Sequence, residues 1–97
     1  MTALTTQEVI SSIQAGQSLD QAELSTINLQ GTHLDRGNFS NAYLRQASFQ
    51  RSSCRGTNFS NATLILAHLQ DANLEAAQLK RTVLTQGLRL EDEPKSE

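Results

Sequence analysis

The sequence predicts an all-β solenoid in which short extended segments and corners alternate along one narrow core. A Leu or Phe returns at every fifth position with a small residue two positions before it, and Asn38–Leu44 (NFSNAYL) returns 20 residues later at Asn58–Leu64 (NFSNATL). A period of five fits neither a helix nor a regular strand. Large and small residues two positions apart point the same way only in extended backbone, so each unit is predicted to be an extended segment followed by a corner.

Length and composition agree with a repeated core. The chain has 97 residues, the length of one domain, with no Trp and only 4% aromatic residues. A conventional core of this size would lack large apolar side chains, whereas a stack of repeats needs only one per unit. The single cysteine, Cys54, excludes an internal disulfide. We found neither a signal peptide in Met1–Glu8 nor an apolar run long enough to span a membrane, and therefore expect a cytoplasmic, bacterial protein.

Residues 1–21 are predicted to form an N-terminal capping helix and a lead-in to the repeat. Thr5 and Glu8 have the spacing of a capping box, Val9 and Ile13 follow at helical spacing, and Gly16 suits a helix stop. A helix of about ten residues needs a surface to pack on. We expect it to cover the first level of the repeat, although it is also a candidate binding element.

The repeat is predicted to occupy residues 22–86. Its large central residues are Leu24, Leu29, Leu34, Phe39, Leu44, Phe49, Cys54, Phe59, Leu64, Leu69, Leu74, Leu79 and Leu84. Two positions before each, every residue except Ile27 is small. Both sets are predicted to point inward, and a leucine in place of Ala42 or Ala62 should overpack the core.

The units AYLRQ (42–46), TNFSN (57–61) and ANLEA (72–76) resemble the pentapeptide-repeat family, whose loose consensus is Ala-Asp/Asn-Leu-X-X. The resemblance implies a right-handed, four-sided (quadrilateral) parallel β-helix with four units per coil, here about three coils. Residues 20 apart would then stack. The outward column Asp35, Arg55 and Glu75 would alternate in charge, Arg51 would lie above Asp71, and Asn38, Asn58 and Gln78 would form an amide ladder. We interpret these as devices for register and solubility.

One outward position breaks the polar pattern. Ile65 and Leu66 occupy positions that elsewhere hold mostly polar side chains, and their side also carries Tyr43 and Val83. These four residues form a candidate contact surface for a protein partner. An alternative is that Leu88 and Leu90 fold over them as part of a C-terminal cap. Residues 87–97 are otherwise predicted to be a disordered acidic tail.

No catalytic, metal or cofactor site is predicted. His33 and His68 lie on different sides, Cys54 points inward, and no Ser/His/Asp set has reason to converge. The basic residues are spread over several sides, which does not favour nucleic-acid binding. We therefore expect a non-enzymatic scaffold that binds an unidentified protein partner through a flat β-face, or associates with itself end-on.

The alternative function comes from the family resemblance. Some members inhibit DNA gyrase, a type II topoisomerase, as acidic, rod-like dimers that mimic DNA. Residues 22–86 hold six basic and four acidic side chains, a net charge of +2. A mimic of DNA phosphates should be strongly negative, and three coils make a short rod.

Overall fold

The structure is a computed structural model that describes residues 4–85 and 88–89, with only the backbone at Thr85, Leu88 and Arg89. Its regular elements are helix α1 at Thr6–Gln14, strand β1 at Val83–Thr85 and strand β2 at Leu88–Arg89. Between α1 and β1 the chain forms a coil whose levels are joined by isolated parallel bridges. Nine bridges link residues 20 apart, from Glu23–Tyr43 to Thr63–Val83, which is the offset that the NFSNA echo predicts.

Each level turns four corners, and each corner contains one left-handed residue. Every fifth residue from Gln21 to Arg81 has φ between 58° and 66°. The next residue donates its N–H to the carbonyl three positions back, as from Ala62 to Phe59 at 2.9 Å. A positive φ at the third position of such a turn is the mark of type II. Only Gly31 and Gly56 are glycines among these corner residues, so the hydrogen bonds must offset about 1–2 kcal/mol of backbone strain at the others.

The four sides of the coil are numbered here by the large residues at their centres. Side 1 has Leu24, Leu44, Leu64 and Leu84; side 2 has Leu29, Phe49 and Leu69; side 3 has Leu34, Cys54 and Leu74; side 4 has Leu19, Phe39, Phe59 and Leu79.

Three phenylalanines fill the middle of the core. Phe39 and Phe59 stack on side 4 with their ring centroids 5.5 Å apart and their planes 11° apart. The ring of Phe49 meets both of them edge-on, at centroid distances of 6.4 and 5.6 Å. All three side chains are fully buried. The predicted stack of Phe39 and Phe59 is confirmed, and the perpendicular Phe49 adds a favourable edge-to-face arrangement.

The coil begins one unit earlier than the repeat counted from the sequence. Leu19 is buried, and its N–H donates to the carbonyl of Asn38 at 2.9 Å. The residue two positions before it, Gln17, is exposed and not small. Because no level lies beneath Gln17, the steric limit that makes this position small elsewhere does not apply there. Leu19 therefore belongs to the coil, although residues 1–21 were expected to hold only the helix and a lead-in.

The inward positions before each centre are small, and their polar members are satisfied. Ala42, Ala47 and Ala62 are completely buried. At the same type of position, the hydroxyls of Thr57 and Thr82 donate to backbone carbonyls one level below, each at 2.8 Å. These hydrogen bonds explain how hydroxyl groups are accommodated in a core that has little room and no exposed acceptors.

Helix α1 covers the first level of the coil. Thr5 and Glu8 form the predicted capping box, with bonds of 3.1 and 2.8 Å between side chains and backbone N–H groups. Val9 is completely buried and Ile13 packs on the core. The hydroxyl of Thr6 donates to the carbonyl of Asn28 at 2.7 Å, which satisfies an acceptor at the lower edge of the coil. The helix thus closes this end, as a terminal element of a repeat stack should.

The other end carries a short antiparallel hairpin. Val83 pairs with Thr63 on the level below and with Arg89 in β2. Since the lower edge of β1 is already paired, β2 lies along its upper edge, on side 1. The rest of the predicted cap and tail, at residues 86–87 and 90–97, lies outside the described residues.

Candidate functional site

The four predicted contact residues all lie on side 1. Tyr43 and Val83 are the bridge partners below and above Thr63, so they share one column. At about 4.8 Å per level, their backbones lie roughly 10 Å apart. Ile65 and Leu66 follow Thr63 toward the corner of the same level. The coil therefore brings Tyr43, Ile65, Leu66 and Val83, called the side-1 patch here, onto one face.

The patch combines exposed and half-buried apolar side chains. Tyr43 is 51% exposed and Leu66 is 47% exposed, and they are the large hydrophobic residues described as exposed in this structure. Ile65 and Val83 are half-buried. A few exposed apolar atoms are ordinary on a protein surface, but a contiguous group on a flat face is typical of a contact site.

Leu66 stands in an unusual backbone conformation. It is the corner residue of its unit, with φ of 62°. Below it in the same column are Gln46 and Thr26, which have similar φ and are polar. Leucine gains nothing from a left-handed backbone, which disfavours side chains with no local hydrogen bond. Folding alone would be served at least as well by Asn or Gln at this corner.

A cationic side chain borders the patch. Arg45 occupies the position one level below Ile65, with 20 residues between them, and is exposed. The sequence analysis did not single it out, although the 20-residue offset places it under Ile65. Tyrosine and arginine beside aliphatic side chains are the composition that protein interfaces favour.

The alternative in which the C-terminal segment covers the patch is not decided by the backbone. β2 lies above Val83, at the upper margin of side 1. The side chain of Leu88 and all of Leu90 lie outside the described residues. The covering of Ile65 and Leu66 by these leucines stays a prediction.

The charged column on side 3 is a structural feature. Arg55 Nε lies 3.5 Å from Glu75 Oε1, and both side chains are largely exposed. Asp35 Oδ1 accepts hydrogen bonds from the Ser53 hydroxyl and from the backbone N–H of Arg55. The bond from Ser53, followed by that from Arg55, lowers the pKa of the Asp35 carboxyl. These contacts link neighbouring levels, as predicted for a register device, and Arg51 and Asp71 form no ion pair within the described residues.

The predicted amide ladder is wrong. The Oδ1 atoms of Asn38 and Asn58 accept the backbone N–H of Ser40 and Ser60, at 3.0 and 2.9 Å. Within residues 4–85 no asparagine amide donates to the next amide of this column. A side-chain oxygen that accepts the N–H two residues later stabilises a turn locally. The asparagines therefore shape the corners of their own units.

No reactive centre is assembled in the described part of the chain. Residues 4–85 and 88–89 contain no cluster of three metal-ligating side chains. Cys54 is buried, and desolvation raises the pKa of its thiol to about 11, with the nearby Ser52 hydroxyl acting in the opposite direction. A thiol of this kind is protonated near neutral pH and is a poor nucleophile. The inward placement of Cys54 is confirmed.

Helix α1, the one helix that the described residues contain, is too short and too polar to cross a membrane.

Comparison with known proteins gives one family. Pentapeptide repeats match residues 22–53 and 47–86, in eight copies. A comparison with curated proteins finds no match.

The similar solved structures are pentapeptide-repeat proteins of cyanobacteria. One from Cyanothece 51142 has 27% identity and a TM-score of 0.48, over 70% of this chain and 50% of that one. HetL from Nostoc sp. strain PCC 7120, which is involved in heterocyst differentiation regulation, has 29% identity and a TM-score of 0.38, over 75% and 36% of the two chains. A third, from Nostoc PCC 7120, has 23% identity and a TM-score of 0.36, over 93% of each chain. This chain thus matches about half of the first protein and about a third of HetL.

The family match spans most of the chain, and the bridges at 20-residue offset repeat throughout the same segment. The chain belongs to the pentapeptide-repeat family.

Proposed function

We propose that this chain is a non-enzymatic interaction module, a bacterial and cytoplasmic scaffold that binds a protein partner through the side-1 patch. The coil that presents the patch is proposed to be right-handed, as the family implies. The observation that carries the proposal is Leu66, an exposed leucine at a left-handed corner whose column is otherwise polar.

The energetic argument is that Leu66 disfavours the free protein slightly and favours a bound one. A left-handed backbone costs a residue such as leucine about 1–2 kcal/mol. Full burial of a leucine side chain against a partner gains about 1.5–3 kcal/mol. A side chain that lowers stability when free and contributes when covered is expected at a contact surface, where backbone strain often occurs.

The flat shape of the face favours a protein partner over a small ligand. Sites for small molecules are concave and enclose most of the ligand. Side 1 instead presents Tyr43, Arg45 and Leu66 on neighbouring levels of a regular coil. An aromatic, a cationic and an aliphatic group on one face suit the anchor residues of a protein interface.

The test is affinity capture from lysate of the source organism with quantitative mass spectrometry, followed by direct binding measurements on any purified partner. Leu66→Asp should lower the partner's affinity at least tenfold, because it removes the aliphatic anchor. Gln46→Asp is the matched control, with the same new charge one level below in the same column, and should retain most of the binding. A partner that binds both variants as tightly as the wild type would overturn the assignment to this patch.

A further variant separates binding from folding. Leu66→Asn suits the left-handed corner and should leave the melting temperature equal or higher, while the partner's affinity falls. If binding survives in Leu66→Asn, the leucine is not the anchor that the proposal requires.

A supercoiling assay distinguishes the DNA-mimic alternative. Inhibition of gyrase by the wild type and by Leu66→Asp alike, at low micromolar protein, would favour the mimic over the side-1 proposal. The net charge of +2 on residues 22–86 leads us to expect no inhibition.

A further inference from the structure

The upper end of the coil lacks the hydrogen bonds that join all lower levels. One level down, the N–H of Phe49 donates to His68 at 2.8 Å, and the carbonyl of Ala47 accepts from His68 at 2.9 Å. The equivalent groups at the top, on sides 2, 3 and 4, have no hydrogen-bond partner among the described residues. They are the N–H groups of Leu69, Leu74 and Leu79 and the carbonyls of Ala67, Ala72 and Ala77.

The same three sides also leave apolar surface uncovered. Leu69, Leu74 and Leu79 are half-buried, whereas the residues directly beneath them, Phe49, Cys54 and Phe59, are completely buried. An edge that offers both unpaired backbone and apolar side chains is a template for pairing with another segment. This open rim therefore needs an occupant, in contrast to the lower end, which α1 covers.

The hairpin determines where the chain continues. β2 runs antiparallel to β1, and Arg89 lies opposite Val83. The next residue along the chain therefore leaves the sheet near the segment that precedes Val83, at the corner between sides 4 and 1. From there the direction of β2 carries the chain across the top of side 4, above Leu79.

This corner is basic only at its uppermost level. Lys80 and Arg81 occupy it at the top, and both are exposed. The levels below hold Ser60 and Asn61, then Ser40 and Asn41, then Asp20 and Gln21. The sequence that follows Arg89 is Leu90, Glu91, Asp92 and Glu93, one apolar residue followed by three acids. Opposite charge thus meets at the corner from which the chain departs.

We propose that residues 90–93 of this chain occupy the rim over side 4. Leu90 packs on Leu79, and the acidic run pairs with Lys80 and Arg81. The backbone of this segment bonds the N–H of Leu79 and the carbonyl of Ala77. Sides 2 and 3 keep an open rim, so the segment closes one of the three free sides and leaves two for strand pairing.

Amide hydrogen exchange by NMR tests this in the full chain, with an internal control. The N–H groups of Leu69, Leu74 and Leu79 are equivalent by position in the coil, and only the last is covered in the proposal. After correction for intrinsic rates, Leu79 should exchange at least tenfold more slowly than Leu69 and Leu74. Equal protection of all three in a monomer would refute the proposal.

Charge variants test the role of the acidic run. The double variant Lys80→Glu with Arg81→Glu should bring the protection of Leu79 down to that of Leu69. Adding Glu91→Lys and Glu93→Lys should restore it. Arg51→Glu, an exposed corner on side 2, is the control for a change of charge alone. Should the double variant fail to fold, 1 M NaCl on the wild type gives the same test, because salt screens exposed pairs. Protection of Leu79 that is insensitive to both would contradict the charge pairing.

A second copy of the chain is the competing occupant. Analytical ultracentrifugation at the NMR concentration decides between them. A dimer in which Leu69, Leu74 and Leu79 are all protected, with protection that falls on dilution, would assign the rim to self-association and overturn the proposal.

Discussion

Replacing Ala62 by leucine tests the narrow core most directly. Ala62 is completely buried, between Ala42 one level below and Thr82 one level above, which are buried as well. Levels in a sheet of this kind lie about 4.8 Å apart. The three added carbon atoms would have to enter space already filled by the facing leucines and phenylalanines. Overpacking of this kind typically costs about 1–3 kcal/mol.

Thermal unfolding followed by circular dichroism measures the effect. In a domain of this size each kcal/mol shifts Tm by roughly 4–8 °C, so Ala62→Leu should lower Tm by roughly 4–24 °C.

The matched control is Ala67→Leu at the next inward position. Ala67 is half-buried at the upper level, with no described level above it, so a leucine there can turn toward the open end. We expect less than about 1 kcal/mol of destabilisation. Unchanged stability in Ala62→Leu, or equal losses in the two variants, would refute the steric account of the small inward residues.

Two further predictions concern the lower end and the buried thiol. A Cβ at Gly37 would lie 3.1 Å from Ile13 Cδ1, so Gly37→Ala should weaken the docking of α1 by about 1–2 kcal/mol, seen as faster amide exchange at Val9 with slower change at Phe59. Burial raises the pKa of Cys54 to about 11, so its contribution to stability is complete below about pH 9 and is lost as the pH rises through 11; urea unfolding from pH 8 to 11 should show a decline that Cys54→Ala lacks, and a decline of equal size in both proteins would exclude the thiol as its cause.

The features that repeat every five or 20 residues could be predicted from the sequence. The spacing of Leu, Phe and small residues placed the core, and the echo of NFSNA gave the offset of the bridges. The capping box at Thr5 and Glu8 located the start of α1 to within one residue of Thr6. These features are local or strictly periodic, so they are visible in the order of residues alone.

The ends of the coil could not be predicted in the same way. Leu74 lies in the unit ANLEA, which fits the family consensus well, yet it is half-buried because no described level lies above it. The burial of a centre depends on a residue 20 positions further on, and its own unit carries no sign of that. Leu19 was missed for the opposite reason, since its unit lacks the small residue that only a filled interior requires.

The candidate site was predicted in part. The placement of Ile65 and Leu66 on one side with Tyr43 and Val83 followed from the offset of 20. The left-handed backbone at Leu66 is a property of the corner, and the sequence pattern does not contain it. That conformation converts an exposed leucine, which is common on protein surfaces, into one whose presence calls for a reason.

The bridges between levels make the coil a ruler with equal graduations. Each further 20 residues advance the surface by one sheet spacing, about 4.8 Å, without altering the surroundings of any existing side chain. Duplicating residues 45–64 would therefore move Tyr43 and Val83 apart by one such step and leave their own units intact. Distances across the binding face are set by counting residues, so insertion of whole coils offers evolution or design a way to change reach independently of affinity.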